Sequence, residues 1–304
     1  MAIPSGLGYA VCGFGSPSRV TDAMIGRQLE HYTVVEHIGS GAMGVVYRAR
    51  DDTLDRDVAL KILPGGTLDP AARGRLRKEA RALSRAAHPS IATVYDFATE
   101  GDLDFIVMEL VPGETLTQRL AAGPLSDAEV LDLGQQLALG LAAAHAAGVI
   151  HRDVKPSNLK VTPDGRLKIL DFGVALQAIS DTETTRTASF AGHMAGTLPY
   201  MAPEQLRGAD ADVRSDVYGA GAVLYEMATG TRAFPERQEG PLFDAVLRRP
   251  VAPPRTIRPS LSPQIEACIL KALEKDPDLR YQSARDLGRD LGAATASIPA
   301  IPLS

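Results

Sequence analysis

The stretch His151-Arg152-Asp153-Val154-Lys155-Pro156-Ser157-Asn158 gathers acidic, basic, hydroxyl and amide side chains into one predicted loop between a helix and a strand. An aspartate such as Asp153 can orient a hydroxyl nucleophile and accept its proton. An asparagine such as Asn158 can present its amide oxygen to a hard cation. A well-hydrogen-bonded turn is the alternative interpretation, but the combination of these residues at these intervals favours a catalytic loop.

Two short motifs follow this loop and carry little information when taken singly. Asp171-Phe172-Gly173 places a carboxylate at the end of a strand predicted over residues 167–170, a position that suits a Mg²⁺ ligand. Ala202-Pro203-Glu204 lies further along the chain. Tripeptides this short are common, so their weight depends on what surrounds them.

Upstream of the loop, Gly39, Gly41 and Gly44 stand in a turn between two predicted strands. Glycines let a backbone approach phosphate groups and adopt turns that are closed to other residues. A dinucleotide-binding motif would need a helix after such a turn, whereas a strand follows here. A glycine-rich hairpin without a ligand is the other interpretation of this segment.

One lysine and one glutamate in the same region are candidates for a phosphate-binding pair. Lys61 stands in an apolar strand predicted over residues 57–63, and Glu79 in a helix predicted to begin at Asp69-Pro70. Lysines commonly extend from strands to water, and charged helix faces are commonly solvated. Neither residue therefore indicates a function alone.

The order of these elements along the chain is far more specific than any one of them. The glycine turn, the lysine strand, the helical glutamate, the catalytic loop and the two tripeptides follow one another as in the protein-kinase signature. Residues 32–291 therefore resemble the eukaryotic-like (Hanks-type) serine/threonine protein kinases of bacteria. The resemblance implies an α+β, bilobal protein-kinase-like fold, with a β-rich N-lobe carrying one main helix and a mostly helical C-lobe.

The resemblance also divides the chain into segments. It implies a kinase domain over residues 32–291, with an N-lobe over about 32–111 and a C-lobe over about 112–291. Residues 1–31 are expected to form a largely disordered extension, and residues 292–304 a C-terminal tail.

Specific residues take the phosphoryl-transfer roles that the resemblance implies. Asp153 would orient the acceptor hydroxyl and take its proton, and Lys155 would neutralise charge on the transferred phosphate. Lys61 would contact the α- and β-phosphates while paired with Glu79. Thr197 would bridge Asp153 and Lys155, as in kinases that modify serine and threonine. The implied catalytic residues are Asp153, Lys155, Lys61, Asn158 and Thr197.

ATP and Mg²⁺ (or Mn²⁺) are the implied cofactors, with the metal held by Asn158 and Asp171. Adenine would lie between Val46, Ala59 and Leu159, and its edge would bond to backbone groups of the segment 109–111. The implied nucleotide-binding residues are Ile38, Gly39, Ser40, Gly41, Ala42, Met43, Gly44, Val46, Ala59, Lys61, Glu79, Met108, Glu109, Val111 and Leu159.

Structural and regulatory contacts follow from the same resemblance. Glu204 would form a buried pair with Arg280, and Asp216 would brace the catalytic loop. Arg152 would bind a phosphate on the hydroxyl-rich segment 174–196. A stacked column joining the lobes would consist of Leu83, Val94, His151 and Phe172, and the expected autophosphorylation sites are Thr185 and Thr187.

Two other functions stay open. A pseudokinase scaffold would bind nucleotide and partners without catalysis, but such proteins usually lack a catalytic residue, and Lys61, Asp153 and Asp171 are all present. A small-molecule phosphotransferase of similar fold is less compatible with Thr197 and with the 202–204 motif.

Composition excludes several classes of protein. The net charge of −5 and the absence of tryptophan disfavour nucleic-acid binding. Two widely spaced cysteines, Cys12 and Cys268, cannot build a disulfide framework or a cysteine-based zinc site. No run approaches the ~18 consecutive apolar residues of a membrane span. We expect a cytoplasmic protein whose partners are protein substrates with serine or threonine acceptors, and which self-associates for autophosphorylation.

Overall fold

The computed structural model describes residues 23–41, 44–63, 70–172 and 196–295, which form two lobes joined by a short connection. The predicted α+β, bilobal architecture is confirmed. One lobe is a β-sheet carrying one long helix, and the other is mainly helical.

The N-lobe is built on a six-stranded antiparallel sheet with the spatial order β1-β2-β3-β4-β6-β5. The strands are β1 (Gln28–Leu29), β2 (Tyr32–Gly41), β3 (Gly44–Asp51), β4 (Arg56–Ile62), β5 (Val94–Glu100) and β6 (Leu103–Glu109). Residues 58–62 of β4 are all buried because this strand lies inside the sheet and is covered on both faces. The sheet thus holds Lys61 in a rigid central position. β1 belongs to the end of the segment 1–31, ahead of the predicted domain boundary.

The long N-lobe helix is α1 (Pro70–Arg85), which packs on the sheet through buried side chains at helical spacing. Proline at the first helical position costs no hydrogen bond, since that N–H has no partner within a helix. The predicted N-cap, Asp69, lies outside the described residues. The buried face of α1 consists of Ala72, Leu76, Ala80 and Leu83.

The C-lobe consists of seven described α-helices, four short 3-10 helices and a small three-stranded sheet of order β7-β8-β9. Its strands are β7 (Glu114–Thr115), β8 (Leu159–Val161) and β9 (Leu167–Ile169). Its helices are α2 (Leu116–Leu120), α3 (Asp127–Ala146), α4 (Pro203–Leu206), α5 (Val213–Thr229), α6 (Glu239–Arg248), α7 (Pro263–Ala272) and α8 (Ala284–Thr295).

The sequence predicts a capping box in Ser126-Asp-Ala-Glu129 and a helix end at Gly230, and local capping in the structure confirms both boundaries. At the start of α3, Ser126 and Glu129 form a reciprocal capping box, in which each side chain accepts the other residue's backbone N–H. α5 ends at Gly230, whose φ of 72° is the left-handed conformation that favours glycine.

The sequence pattern predicts no helix over α2, α4 or α6, and it ends α8 too early. The α6 segment lacks sequence signals for a helix, since Gly240-Pro241 falls in its first turn and glutamine, here Gln238, is not a preferred N-cap residue. The sequence pattern predicts α8 over residues 283–291, but the helix continues to Thr295, into the predicted tail.

Backbone contacts fix one lobe against the other beside the cleft. The N–H of Ala92 donates to the carbonyl of Ile169 at 3.0 Å, and the N–H of Ile169 donates to the carbonyl of Ser90 at 2.8 Å. These bonds tie the loop after α1 to β9. No helix in the described ranges has the length and apolarity needed to cross a membrane.

Candidate active site

A cleft of about 480 Å³ lies between the lobes, and most of the predicted site residues line it. The cleft brings together Ile38, Gly39, Ser40, Gly41, Gly44, Val46, Ala59, Lys61, Met108, Glu109, Val111, Asp153, Lys155, Asn158, Asp171 and Thr197. Glu79 and Leu159 do not line it. Ala42, Met43, Gly173 and the expected autophosphorylation segment up to residue 195 lie outside the described residues.

The roof of the cleft is the hairpin between β2 and β3, in which Gly41 pairs with Gly44. Gly44 has a φ of 125°, which residues with a side chain rarely adopt. A Cβ atom on Gly44 would also overlap the carbonyl oxygen of Ile62 in β4. The close approach of β3 to β4 at this point therefore requires a glycine.

We expect Gly44→Ala to lower the free energy of unfolding by about 1–3 kcal/mol, because the new side chain strains the backbone and meets the Ile62 carbonyl. The measurement is urea denaturation followed by far-UV circular dichroism, since the chain has no tryptophan. Gly39→Ala is the matched control, because a Cβ there meets nothing within 4 Å. Equal losses in the two variants would contradict this account of the hairpin.

Lys61 forms an ion pair with Asp171 across the cleft, with 3.0 Å between Nζ and Oδ1. The predicted pairing of Lys61 with Glu79 is wrong for this conformation, since Glu79 Oε1 accepts a hydrogen bond from Arg152 Nη1 at 3.2 Å. α1 presents Glu79 to the catalytic loop, where the half-buried guanidinium of Arg152 is the nearer cation. Burial raises the pKa of Glu79, and Arg152 opposes this effect only in part.

The catalytic loop, residues 151–158, holds Asp153 in a polar cluster at the floor of the cleft. Asp153 Oδ2 accepts hydrogen bonds from Lys155 Nζ at 2.8 Å and from Asn158 Nδ2 at 2.9 Å. Lys155 Nζ also donates to Thr197 Oγ1 at 2.7 Å. Thr197 thus reaches Asp153 through Lys155. Asp153 Oδ1 is buried and has no hydrogen-bond partner within the described ranges, so one carboxylate oxygen is left to receive a proton.

Asp216 of α5 braces this loop from below, as the resemblance implies. Its carboxylate accepts the backbone N–H groups of His151 and Arg152 at 2.8 Å each, and it contacts His145 Nε2 at 2.7 Å. Arg152 has a φ of 66°, a conformation that side-chain-bearing residues adopt at a cost. The bonds to Asp216 stabilise this turn just before Asp153.

His151 connects the loop to the segment that carries Asp171. Its Nε2 faces the carbonyl oxygen of Leu170 at 2.9 Å, so Nε2 carries a proton, while Nδ1 accepts the N–H of Asp153 at 3.2 Å. These partners fix the orientation of the imidazole ring and the tautomer with the proton on Nε2. The ring of Phe172 packs against it with 4.7 Å between centroids, which gives the lower part of the predicted column.

The floor beneath the predicted adenine site differs from the expectation. Leu159 is fully buried in the C-lobe core, whereas its neighbour Lys160 lines the cleft. Successive side chains of a strand point to opposite faces, and a strand as short as β8 gives no pattern from which to choose the face. Thr115, Ser157 and Lys160 line the cleft and are absent from the predicted set. Burial lowers the pKa of Lys160.

The donor set at this end of the cleft fits a divalent cation. The amide nitrogen of Asn158 is engaged with the backbone and side chain of Asp153, so its oxygen is the end that could bind metal. Asp171 would add a carboxylate. No cluster of three or more His, Cys, Asp or Glu side chains suited to a metal occurs in the part of the chain that the structure describes. Mg²⁺ is commonly bound by one or two protein side chains, with phosphate oxygens of the substrate as further ligands.

Comparisons with known proteins agree with this arrangement. A family model described as "Protein kinase domain" matches residues 32–289. The chain is 38% identical over 274 residues to the serine/threonine-protein kinase PrkC of Bacillus subtilis, covering 89% of this chain and 42% of PrkC. It is 38% identical over 268 residues to PknB of Mycolicibacterium smegmatis, covering 86% of this chain and 42% of PknB. It therefore spans less than half the length of these curated relatives.

A solved structure extends the similarity to three dimensions. The crystal structure of the PknI kinase domain of Mycobacterium tuberculosis matches with a TM-score of 0.68 and 28% sequence identity. The match covers 88% of this chain and 98% of that domain.

Proposed function

The chain belongs to the protein kinase domain family, and from this membership we propose that it is an ATP-dependent serine/threonine protein kinase. Its relatives PrkC and PknB carry that activity in their names, and the predicted resemblance to bacterial kinases of this type is confirmed. The observation that carries the proposal is the chain of contacts from Asp153 through Lys155 to Thr197 in the interlobe cleft.

The chemistry of the cleft residues supports transfer of the γ-phosphate to a hydroxyl group. Asp153 has one buried carboxylate oxygen without a described partner, and this oxygen can accept the proton of an incoming serine or threonine. Lys155 Nζ lies 2.8 Å from Asp153 Oδ2, so its positive charge is placed beside the position of the acceptor hydroxyl. Little covalent chemistry is asked of the protein, because phosphoryl transfer depends mainly on positioning and electrostatics.

Other polar and charged residues of the cleft would bind the nucleotide and its metal ion. Lys61 is buried and lies beside Asp171, where it would bind phosphate oxygens of ATP. Asn158 and Asp171 would hold Mg²⁺, which would neutralise phosphate charge when bound. The hairpin that contains Gly44 would cover the phosphates with backbone amides.

The test of acceptor class uses three peptides that differ only in carrying serine, threonine or tyrosine at one position. With ATP and Mg²⁺ we expect phosphate on the serine and threonine peptides and almost none on the tyrosine peptide. Phosphate confined to the tyrosine peptide would overturn the assignment. If none of the peptides is phosphorylated and the γ-phosphate is transferred to a small molecule instead, the protein is a small-molecule phosphotransferase.

Autophosphorylation, signalling and self-association are further parts of the proposal. Their support is the hydroxyl-rich sequence of residues 174–196 together with Arg152, whose guanidinium suits phosphate binding. Mass spectrometry after incubation with ATP and Mg²⁺ should find phosphate within that segment, and its absence there would contradict this part. A cytoplasmic location is also proposed, on the two widely spaced cysteines.

A further inference from the structure

Lys160 is a charged residue in the cleft to which the phosphoryl-transfer mechanism gives no role. It occupies the middle of β8, between Leu159 and Val161, both of which are buried in the C-lobe core. Lys160 faces the opposite way and lines the cleft together with Val46 and Ala59 of the N-lobe. A flat base held between the lobes would therefore have Lys160 on its lower side.

The ammonium group of Lys160 is tied to the connection between the lobes. Its Nζ donates a hydrogen bond of 2.7 Å to the carbonyl oxygen of Val111. No ion pair joins Lys160 to a carboxylate in the part of the chain that the structure describes, whereas its neighbour Lys168 pairs with Glu109 at 2.9 Å. The contact with Val111 is thus the interaction that fixes the position of this ammonium group.

This contact changes what the segment 109–111 can offer to a base. In the proposed nucleotide site, the edge of the base would meet the carbonyl oxygen of Glu109 and then the N–H and the carbonyl oxygen of Val111, two residues that line the cleft. Adenine has an amino donor, a ring-nitrogen acceptor and then a C–H on its corresponding edge. It therefore needs the first two groups and leaves the Val111 carbonyl free for Lys160.

We propose that Lys160 is a specificity-determining residue, which occupies the Val111 carbonyl and so restricts the nucleoside pocket to bases without a donor at that position. A base with an additional amino group beside the ring nitrogen, such as 2,6-diaminopurine, would have to share the Val111 carbonyl with the ammonium group or displace it. Sharing would place the amino donor next to the positive charge of Lys160, and displacement would cost the ammonium group its hydrogen bond in a half-buried place, so both disfavour such a base. This inference rests on the proposed nucleotide site.

The test compares the dissociation constants of adenosine and 2,6-diaminopurine riboside by calorimetry, in the full chain and in Lys160→Met. Methionine keeps most of the apolar stem and removes the donor. We expect the preference for adenosine over the diaminopurine riboside to fall about 3- to 10-fold in Lys160→Met, the range for one hydrogen bond. Because the result is a ratio of two ligands on one protein, a general loss of stability does not produce it.

Two variants control the experiment. Lys160→Arg keeps a donor and should retain the preference of the natural chain. Lys271→Met removes a lysine from α7, whose ammonium lies over the ring of Tyr281 in the C-lobe, and should leave the ratio unchanged. A ratio in Lys160→Met that stays within twofold of the natural chain overturns the inference, as does a Lys160→Arg protein that behaves like the methionine variant. Failure of the natural chain to bind adenosine or ATP would instead contradict the proposed nucleotide site itself.

Discussion

Replacing Asp153 with asparagine should reduce kcat for phosphate transfer at least about 10³-fold, since it removes the group placed to orient the hydroxyl and accept its proton. Asparagine has nearly the same shape, and it can still accept a hydrogen bond from Lys155. The nucleotide is expected to bind within a few-fold of its usual affinity, because the phosphate-binding Lys61 and the metal-binding Asp171 are unchanged. The loss should therefore appear in kcat rather than in binding.

The control for this prediction is Asp210→Asn, which makes the same chemical change at an exposed position between α4 and α5. Both proteins are assayed for initial rate at saturating ATP and for nucleotide affinity by calorimetry. Equal rates in Asp153→Asn and the natural chain would refute Asp153 as the base.

The second large effect concerns stability and involves the buried pair of Glu204 and Arg280. The guanidinium of Arg280 donates to both carboxylate oxygens of Glu204 at 2.7 Å, and its side chain is fully buried. It also donates to the backbone carbonyls of residues 214, 274 and 275. This one side chain therefore connects α4 to the start of α5 and to the loop after α7.

Arg280→Met is expected to lower the free energy of unfolding by about 3–5 kcal/mol, because it leaves the largely buried Glu204 carboxylate without its cation and removes a donor from three backbone carbonyls. Arg289→Met is the matched control, since the Arg289 side chain is 70% exposed and pairs with the partly exposed carboxylates of Asp286 and Asp290. Its effect should be below about 0.5 kcal/mol. Equal effects in the two variants would contradict the structural role of Arg280.

Acid titration gives an independent check on the same pair. Burial raises the pKa of Glu204, but hydrogen bonds from Arg280 and Ser215 outweigh it, so that the pKa in the native protein is lowered. A carboxyl whose native pKa is lowered adds stability above its ordinary pKa, and this stability is lost as the pH falls. The stability difference between the natural chain and Arg280→Met should therefore shrink below about pH 4.

Much of the fold follows from features that are local in sequence. The capping box at Ser126, the glycine at 230 and the apolar spacing along α1 set element boundaries within a few residues. The order of the motifs then predicts the two-lobed fold, because separate elements that are weak singly occur in one specific order. α6 could not be predicted from local features, because Gly240-Pro241 lies in its first turn and its N-cap residue makes no side-chain capping hydrogen bond.

Two contacts in the site could not be predicted from features that are local in sequence. Either Glu79 or Asp171 could form the ion pair with Lys61. The position of α1 against the catalytic loop decides the outcome, because it brings Glu79 to Arg152 and leaves Lys61 with Asp171. The orientation of the β8 side chains is a similar case. The strand has three residues, too few to show from the sequence whether Leu159 or Lys160 faces the cleft. Both outcomes depend on tertiary packing rather than on residue type.

The most direct measurement of the central claim incubates the full chain with Mg²⁺, a protein acceptor and ATP labelled at either the α- or the γ-phosphate. A kinase that uses Asp153, Lys155 and Thr197 as described should transfer label from γ-labelled ATP alone, to serine and threonine of the acceptor, and only while Mg²⁺ is present. Label arriving from α-labelled ATP would mean that nucleotide rather than phosphate is transferred. No transfer from either form, with ATP bound normally, would identify a pseudokinase and contradict the account.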